Sequence, residues 1–348
     1  MSSKALGPNR QWLFAQRAEG PIGQHNFRWV ESGAIPSPTE GQALVRNLWI
    51  SFAPTSLLHM SAPPEQGGMS IGDVMQSQAA SVVIESRHPG WAPGDLLVGF
   101  VGWEDYSLTD GHAFIDTYKA PAGVPPNLAV GTLGITGLVA YFGVLDVGRP
   151  HRGETFVVTA AAGGVGSIAA QIAKIQGLRV IGIAGGRQKC DWLLDTAGID
   201  AVIDHRTENV AARLDALCPD GIDIFFDNVG GAILDEGLGR LRRNGRVVVC
   251  GGTALYGQKV QPPGPLNYLN LCMVNGRMEG LLGRDYFDRF PEAIAVLRGW
   301  LDTGQLKSKE DVAVGLENAP DALARMFRGE NIGKQLLKIA DLAAEPSN

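Results

Sequence analysis

A glycine-rich stretch between an apolar segment and a helical segment constrains this chain more than any other feature. Phe156–Thr159 predicts a short buried strand, and a helix is predicted over Ser167–Gln176. Between them lies Ala160-Ala161-Ala162-Gly163-Gly164-Val165-Gly166. A strand, a turn without bulky side chains and a helix start bring free N–H groups and the positive end of the helix dipole together, as a dinucleotide diphosphate requires. Gly166 would also allow close helix–strand packing.

The spacing of this turn departs from the full three-glycine dinucleotide fingerprint. An ordinary tight turn is therefore the alternative interpretation, in a chain with 46 glycines among 348 residues. The position of the turn between a strand and a helix favours the nucleotide site. The candidate cofactor-binding residues of the turn are Ala162, Gly163, Gly164, Val165 and Gly166.

Strands and helices alternate on both sides of this turn, which predicts a parallel sheet covered on both faces. Val130–Val147 predicts a buried connecting helix, and Arg242-Arg243 with Gly245 predicts the end of a later helix. The predicted strands after the turn are Arg179–Ala184, Ala201–Asp204, Ile222–Asp227 and Arg246–Cys250. The predicted helices are Gln188–Ala197, Ala232–Arg242 and Phe290–Asp302, before a closing segment over Gly329–Ala340.

The first third of the chain predicts a barrel-like β domain. Short apolar segments, Ala43–Trp49, Ala80–Glu85 and Leu96–Val101, are separated by proline-rich turns such as Pro63-Pro64 and Pro93-Gly94. A chain of 348 residues is long enough for two domains of this kind.

Composition excludes several classes of protein. A net charge of −6 argues against a nucleic-acid surface, and the sequence has no apolar run long enough to cross a bilayer. The N-terminus does not resemble a signal peptide. The scattered cysteines, Cys190, Cys218, Cys250 and Cys272, form neither a disulfide framework nor a zinc motif. We therefore expect a cytoplasmic protein without a metal site, whose partners are small molecules.

The residues after the second strand of the nucleotide site indicate which dinucleotide binds. An NAD site carries a carboxylate there for the ribose 2′-hydroxyl, whereas this strand is followed by Gly185-Gly186-Arg187-Gln188-Lys189. Arg187 and Lys189 would attract a 2′-phosphate, which favours NADPH. The alternative is a pair of solvated cations at a helix start. His205, after the third strand, would cover the adenine or contact the phosphate, or it is a plain surface histidine.

Several motifs together resemble a known family, the zinc-free medium-chain dehydrogenase/reductases, in the branch of prostaglandin reductases, leukotriene B4 12-hydroxydehydrogenase and NADPH-dependent 2-alkenal reductases. The resemblance extends from Trp12 to Ile339. Besides the glycine turn, its motifs are the stretches from Leu133 to Gly143, Asp227 to Gly231, Gly315 to Pro320 and Gly329 to Lys334.

The resemblance implies a Rossmann domain and a GroES-like β domain with the nicotinamide held between them, and a homodimer. It implies that residues 128–304 bind NADPH and that residues 1–127 and 305–348 form a discontinuous substrate domain. Lys189 matches the family's 2′-phosphate lysine, and His205 replaces a usual tyrosine. Gly186, Asn228, Gly251 and Asn331 are the further cofactor candidates that the resemblance implies. Asn331 could instead be only a turn-former between glycines.

Tyr256 matches a tyrosine whose hydroxyl is proposed to reach the substrate carbonyl, and it is the one catalytic candidate. The alternative is a packed aromatic ring with its hydroxyl in water. The chain departs from the family at Ala53–Leu57, where a tyrosine and an arginine are missing, and at Gln76–Ser81, where a glycine-rich segment is replaced. Both changes fall in the predicted substrate domain.

The expected activity is NADPH-dependent reduction of the C=C bond of α,β-unsaturated ketones or aldehydes, by hydride transfer to the β-carbon. The alternatives are a zinc-free NADPH quinone reductase and a non-catalytic NADPH-binding protein, because a fold and a motif do not guarantee chemistry.

Overall fold

A computed structural model describes residues 7–32, 35–258, 260 and 262–342. The chain divides into two compact units. The first contains residues 1–131, 311–331 and 335–348, and the second contains residues 132–310 and 332–334. Compared with the predicted domain boundaries, residues 128–131 lie in the first unit, whereas residues 305–310 and 332–334 lie in the second.

The first unit is built mainly from antiparallel strands. The strands are β1 (Asn9–Phe14), β2 (Phe27–Ser32), β3 (Ala43–Ser51), β4 (Gln76–Ser86), β5 (Leu96–Gly102), β6 (Tyr106–Thr109), β7 (Tyr118–Lys119), β14 (Glu310–Val314) and β15 (Lys334–Lys338). The helices are α1 (Ser56–Ser61), α2 (Pro126–Val130) and α10 (Ala319–Phe327).

A seven-stranded sheet in the order β14-β15-β3-β4-β5-β7 carries β6 on β3, and β1 pairs with β2 separately. The core of the unit contains Phe14, Phe52 and Trp103, all fully buried, and Trp103 stacks on Phe27 and makes an edge-to-face contact with Phe52. The three strands predicted in this part of the chain are confirmed within β3, β4 and β5.

The second unit is a parallel sheet with helices between its strands. The strands are β8 (Thr155–Thr159), β9 (Arg179–Ala184), β10 (Ala201–Asp204), β11 (Ile222–Asp227), β12 (Leu241–Val249) and β13 (Arg277–Gly280). The helices are α3 (Ile135–Phe142), α4 (Gly164–Ile175), α5 (Arg187–Asp195), α6 (Val210–Leu217), α7 (Gly231–Gly239), α8 (Asn270–Met273) and α9 (Phe290–Asp302).

The strand order of this sheet is β10-β9-β8-β11-β12-β13, and every pair is parallel. Counted along the unit, this is the order 3-2-1-4-5-6 of the Rossmann fold, in which the chain reverses direction across the sheet between β8 and β11. Val157, Ile181, Phe225 and Val247 belong to its buried core. The predicted fold class is confirmed: a Rossmann sheet together with a separate antiparallel domain of the GroES-like kind.

The predicted helices over Ser167–Gln176 and Gln188–Ala197 are observed as α4 and α5, with bounds that differ by one to three residues, and two other predicted helices differ more. The predicted helix over Val130–Val147 is broken, because α2 ends at Val130 and α3 begins only at Ile135. The carbonyl oxygen of Thr132 would lie 1.8 Å from a Cβ on Gly137, so the intervening turn folds directly onto α3 at a glycine. After α3 the backbone widens into a π-helical turn over Gly143–Gly148.

The helix predicted to end at Arg242 ends earlier, at Gly239. Arg242 and Arg243 lie in β12, where the Arg242 side chain is 3.4 Å from the carboxylate of Asp223. The left-handed residue of this region is Asn244, with φ 62°, and not Gly245. Two glycines in the last turn of α7 stop the helix before the arginines can cap it.

No helix among the described residues is long and apolar enough to span a membrane.

Candidate functional site

The predicted nucleotide turn lies at the carboxyl end of β8, where the chain order reverses. Thr159 ends the strand, Ala160 takes a left-handed conformation with φ 48°, and Gly163 is the N-cap of α4. Gly164, Val165 and Gly166 form the first turn of that helix, whose N–H groups have no intrahelical acceptors. A twelve-residue helix therefore points its positive end at the position where a Rossmann fold binds an anion.

Gly166 allows this turn to close. A Cβ atom built on Gly166 would lie 2.3 Å from the carbonyl oxygen of Ala160 and 3.0 Å from Cα of Ala161. Both contacts are with backbone, which cannot move aside as a flexible side chain would. The close packing of α4 on β8 expected from the sequence is therefore present in the structure.

A second glycine turn follows β9 on the neighbouring strand. Gly186 has φ 94° and caps α5, and its N–H donates a 2.9 Å hydrogen bond to the carboxylate of Asp204 at the end of β10. This hydrogen bond lowers the pKa of Asp204 below its ordinary value. The Asp204 carboxylate therefore holds the turn in place by accepting a hydrogen bond from its backbone.

Two cationic or ionisable side chains lie against this second turn. A Cβ atom on Gly185 would be 2.7 Å from Nε2 of His205 and 2.9 Å from Nε of Arg206. The structure therefore brings His205 to Gly185, next to Gly186, and its contact with a 2′-phosphate stays a prediction. It also adds Arg206, which sequence reasoning missed because β10 becomes a neighbour of β9 only in the sheet.

The two other predicted cations of this region are on α5. Arg187 forms an ion pair with Asp191 at 3.5 Å, and its side chain is 93% exposed. Lys189 is half-buried, and its N–H donates to the carbonyl oxygen of Gly186. Their contact with a phosphate stays a prediction.

A buried hydrogen-bond network joins the ends of β8 and β11. The hydroxyl of Thr159 donates to the carboxylate of Asp227 at 2.9 Å and accepts from the N–H of Asn228 at 2.7 Å. The Asn228 side-chain amide donates to the Thr159 carbonyl oxygen at 2.7 Å. Asp227 also accepts from the N–H groups of Val229 and Gly230. The network holds Asn228, a predicted cofactor residue, in one orientation at the position where the chain order reverses.

Asp227 is a structural carboxylate in this arrangement. Burial raises the pKa of Asp227, and its hydrogen bonds with Val229, Gly230 and Thr159 oppose that shift. Burial likewise raises the pKa of the neighbouring Cys250 thiol to about 12, which keeps it protonated at neutral pH. The sequence did not single out Thr159 or Asp227 as site residues, although Asp227 stands in a family motif.

Tyr256 lies in the turn that follows β12. The N–H of Gly252 donates a 3.2 Å hydrogen bond to the Tyr256 hydroxyl, and a Cβ on Gly251 would be 3.5 Å from the same oxygen. The N–H of Gly251 in turn donates to the carbonyl oxygen of Asp227 at 3.2 Å. Tyr256, Gly251 and Asn228 are thus brought together by one set of backbone contacts, in which the hydroxyl acts as an acceptor and its own hydrogen points elsewhere.

The remaining predicted residue and the family departures lie in the first unit. Asn331 is buried in the loop between α10 and β15. The departure Ala53–Leu57 forms the turn that starts α1, and Gln76–Ser81 is the first half of β4. Within β4, Ser77 accepts a hydrogen bond of 2.8 Å from the Trp103 indole.

Among the described residues, His, Cys, Asp and Glu do not form any group of three or more that could hold a metal ion.

The fold and the site define a two-unit protein with a Rossmann dinucleotide turn, a second turn with cationic side chains beside it, and a tyrosine in the turn that follows β12. Two family models match the chain, one described as the N-terminal domain of oxidoreductase over residues 10–116 and one described as zinc-binding dehydrogenase over residues 164–298.

Relatives and solved structures match nearly the whole chain. The NADPH-dependent curcumin reductase of Escherichia coli is 37% identical over 95% of this chain and 97% of its own length. The NADP(+)-dependent 2-alkenal reductase of Nicotiana tabacum is 36% identical over 85% of this chain and 87% of its own. The crystal structure of CurA from Vibrio vulnificus in complex with NADPH has a TM-score of 0.88, at 35% identity over 96% of this chain and 100% of that one. The chain belongs to the zinc-free medium-chain dehydrogenase/reductases, in the branch of prostaglandin and 2-alkenal reductases.

Proposed function

We propose that this protein is an NADP-dependent oxidoreductase that reduces the C=C bond of α,β-unsaturated ketones or aldehydes, with hydride delivered to the β-carbon. The observation that carries the proposal is the near full-length similarity to reductases of this kind, and the glycine turn and the cations beside the second turn support it. In this proposal residues 128–304 form the NADPH-binding domain, and residues 1–127 and 305–348 form the substrate domain.

The residues present fit NADPH. Only glycine fits at position 166, where the turn closes on the backbone of Ala160, and the N-terminus of α4 supplies donors to the diphosphate. His205 and Arg206 on the second turn suit a 2′-phosphate, because a guanidinium donates charge-assisted hydrogen bonds to phosphate oxygens. The remaining residues that would hold the cofactor are Ala162–Val165, Gly186, Arg187, Lys189, Asn228, Gly251 and Asn331. When bound, NADPH supplies the hydride.

The task of the protein is then to orient the substrate and to stabilise the negative charge that develops on its carbonyl oxygen. Tyr256 is the side-chain donor that we assign to this oxygen. Its hydroxyl accepts from Gly252, which orients the phenol and leaves its hydrogen for a substrate acceptor. A neutral phenol is sufficient because the conjugated carbonyl needs a hydrogen bond and not full proton transfer during the hydride step.

Asp227 and Cys250 are not part of this chemistry. The carboxylate of Asp227 is occupied by donors from Thr159, Val229 and Gly230. Cys250 stays a thiol because burial raises its pKa to about 12. The role of Asp227 is to hold the end of β11 in place through its hydrogen bonds with Thr159, Val229 and Gly230.

The experiment that tests the function is an NADPH-oxidation panel of short enals, long-chain enones and quinones, with the products identified by mass spectrometry. We expect saturated carbonyl products from enals or enones and slower oxidation with quinones. Turnover of quinones alone would make the protein a quinone reductase. Tight NADPH binding with no turnover on any compound of the panel would make it a non-catalytic NADPH-binding protein.

We also infer that the protein is a cytoplasmic homodimer. Leu266, Tyr268, Leu269 and Met273, which lie between β12 and the last sheet strand β13, are more than half exposed. A patch of exposed apolar side chains beside a terminal strand supports pairing with a second copy. Sedimentation equilibrium of the purified protein tests the dimer, and a single monomeric species would exclude it. The cytoplasmic location is supported by cysteines that are all free.

A further inference from the structure

A short segment from the C-terminal part of the chain lies directly on the nucleotide turn. The N–H of Gly333 donates a 2.7 Å hydrogen bond to the carbonyl oxygen of Ala162, and Gly333 forms a parallel bridge with Gly163. On the other side, the N–H of Lys334 donates to the carbonyl oxygen of Lys309 at 2.8 Å. The backbone of this segment is therefore held at the turn and does not simply pass near it.

Gly333 is the residue that permits this approach. It has φ 78°, and a Cβ atom there would lie 2.0 Å from the carbonyl oxygen of Lys309. A residue with a side chain would have to move the segment away from Lys309 and would break the hydrogen bond between Lys334 and Lys309. The glycine thus fixes the backbone position of the next residue, Lys334.

The side chain of Lys334 runs over the first residue of α4. A Cβ atom built on Gly164 would lie 3.1 Å from Cδ of Lys334 and 3.1 Å from Cγ2 of Thr136. The absence of a side chain at Gly164 therefore makes room for the aliphatic stem of Lys334. Lys334 is only 8% exposed, so its ammonium group is also kept from bulk water.

The electrostatic potential around this position favours a bound anion. Burial lowers the pKa of Lys334 to about 8, and the N-terminus of α4 adds a second positive potential nearby. The Lys309 side chain lies against this segment, with its Cγ 2.7 Å from a Cβ built on Gly333, whereas the turn from Ala160 to Gly166 has no charged side chain.

We propose that Lys334 is a cofactor-binding residue whose ammonium group pairs with the diphosphate of NADPH. The inference rests on the proposed function, since it requires that NADPH binds at the α4 N-terminus. The diphosphate meets the positive end of the helix there, and Lys334 supplies the full charge that the uncharged glycine turn lacks. Its contribution is to binding and not to the transfer of hydride.

The test compares Lys334→Met with Lys338→Met. The control residue lies on the same strand, partly exposed, and pairs with Asp341 at 2.7 Å. Calorimetric titration uses three probes: NADPH, the 2′-phosphate of ADP, and adenosine 2′-monophosphate, which lacks the diphosphate. We expect Lys334→Met to weaken the first two by about 10- to 100-fold, the range of one charge-assisted hydrogen bond, and the third by less than about twofold. Lys338→Met should bind all three like the wild type.

Equal affinity of Lys334→Met and wild type for the 2′-phosphate of ADP would overturn the assignment, and so would a loss seen with NADPH only. Failure of the wild type to bind NADPH would instead reject the proposed function. If Lys334→Met does not fold, proton uptake by the wild type decides. An anion beside Lys334 raises its pKa, so the 2′-phosphate of ADP should cause proton uptake near pH 8 that adenosine 2′-monophosphate does not. Equal uptake with both probes would contradict the proposal.

Discussion

The hydroxyl of Thr159 donates a 2.9 Å hydrogen bond to the carboxylate of Asp227 and accepts one from the N–H of Asn228. Thr159→Val keeps the volume of the side chain and removes both hydrogen bonds. Because the site is fully buried, we expect a loss of about 1–3 kcal/mol in the free energy of unfolding. Urea denaturation measures it. Thr303→Val, at an exposed helix end, is the matched control and should change stability by less than about 0.5 kcal/mol.

Alanine substitution at two helical glycines, Gly166 in the nucleotide turn and Gly299 in α9, should change stability in opposite directions. Gly166→Ala places a methyl group against the carbonyl oxygen of Ala160, so we expect it to destabilise the protein by about 2 kcal/mol or more and to weaken NADPH binding. A methyl group on Gly299 of α9 meets no atom of the described chain within 4 Å. Gly299→Ala should therefore stabilise the protein by about 0.5–1 kcal/mol. Thermal melts of both variants measure the difference in stability. Destabilisation by both substitutions would show that the effect comes from the helix context and not from the turn.

The sequence predicted the buried strands better than the contacts between their ends. The bounds of β9, β10 and β11 were predicted correctly, because each is an apolar run closed by glycine or a charged residue. The predicted helix ends were wrong where a glycine or a close approach of two backbone segments interrupts the helix, as between α2 and α3.

The missed site residues have a common cause. Arg206 reaches Gly185 only because β10 pairs with β9, and Thr159 meets Asp227 across 68 residues of chain. Such neighbours are set by the order of strands in the sheet, which local patterns do not contain. A search for polar residues at the end of every predicted strand would have found them.

The buried carboxylate of Asp227 gives the folded protein a predictable pH dependence. Burial raises its pKa above the ordinary value of 3.8, so near and above that pH the folded state binds more protons than the unfolded state. Stability then falls as pH rises through the interval between the two pKa values. We expect the free energy of unfolding of the wild type to fall relative to that of Asp227→Asn as pH rises from about 3.8. Urea denaturation from acidic to neutral pH measures it, and a constant difference would contradict the prediction.

Cofactor preference tests the second turn. Lys189→Ala and Arg206→Ala should each raise KM for NADPH by about 10- to 100-fold and change KM for NADH little, because only NADPH carries the 2′-phosphate. The control is Arg213→Ala, which removes the ion pair between Arg213 of α6 and Glu208 and should change neither KM value. Equal effects on both cofactors would reject the 2′-phosphate assignment for that residue. Arg187→Ala is expected to have the smaller effect, since its guanidinium is exposed and paired with Asp191.

Tyr256→Phe tests whether the hydroxyl next to Gly252 acts on the substrate. If it is a principal donor to the carbonyl oxygen, its removal should lower kcat by about 10- to 1000-fold. The hydrogen bond from Gly252 is only partly buried, so the free energy of unfolding should fall by no more than about 1 kcal/mol. KM for NADPH should stay within about twofold, because the hydroxyl donates to substrate and not to the nucleotide.

Tyr268→Phe, at a side chain that is 56% exposed, is the matched control and should keep full turnover. Stopped-flow measurement of NADPH oxidation with a saturating enone separates these effects. An unchanged rate in Tyr256→Phe would mean that another donor stabilises the oxygen and that Tyr256 serves only to close its own turn.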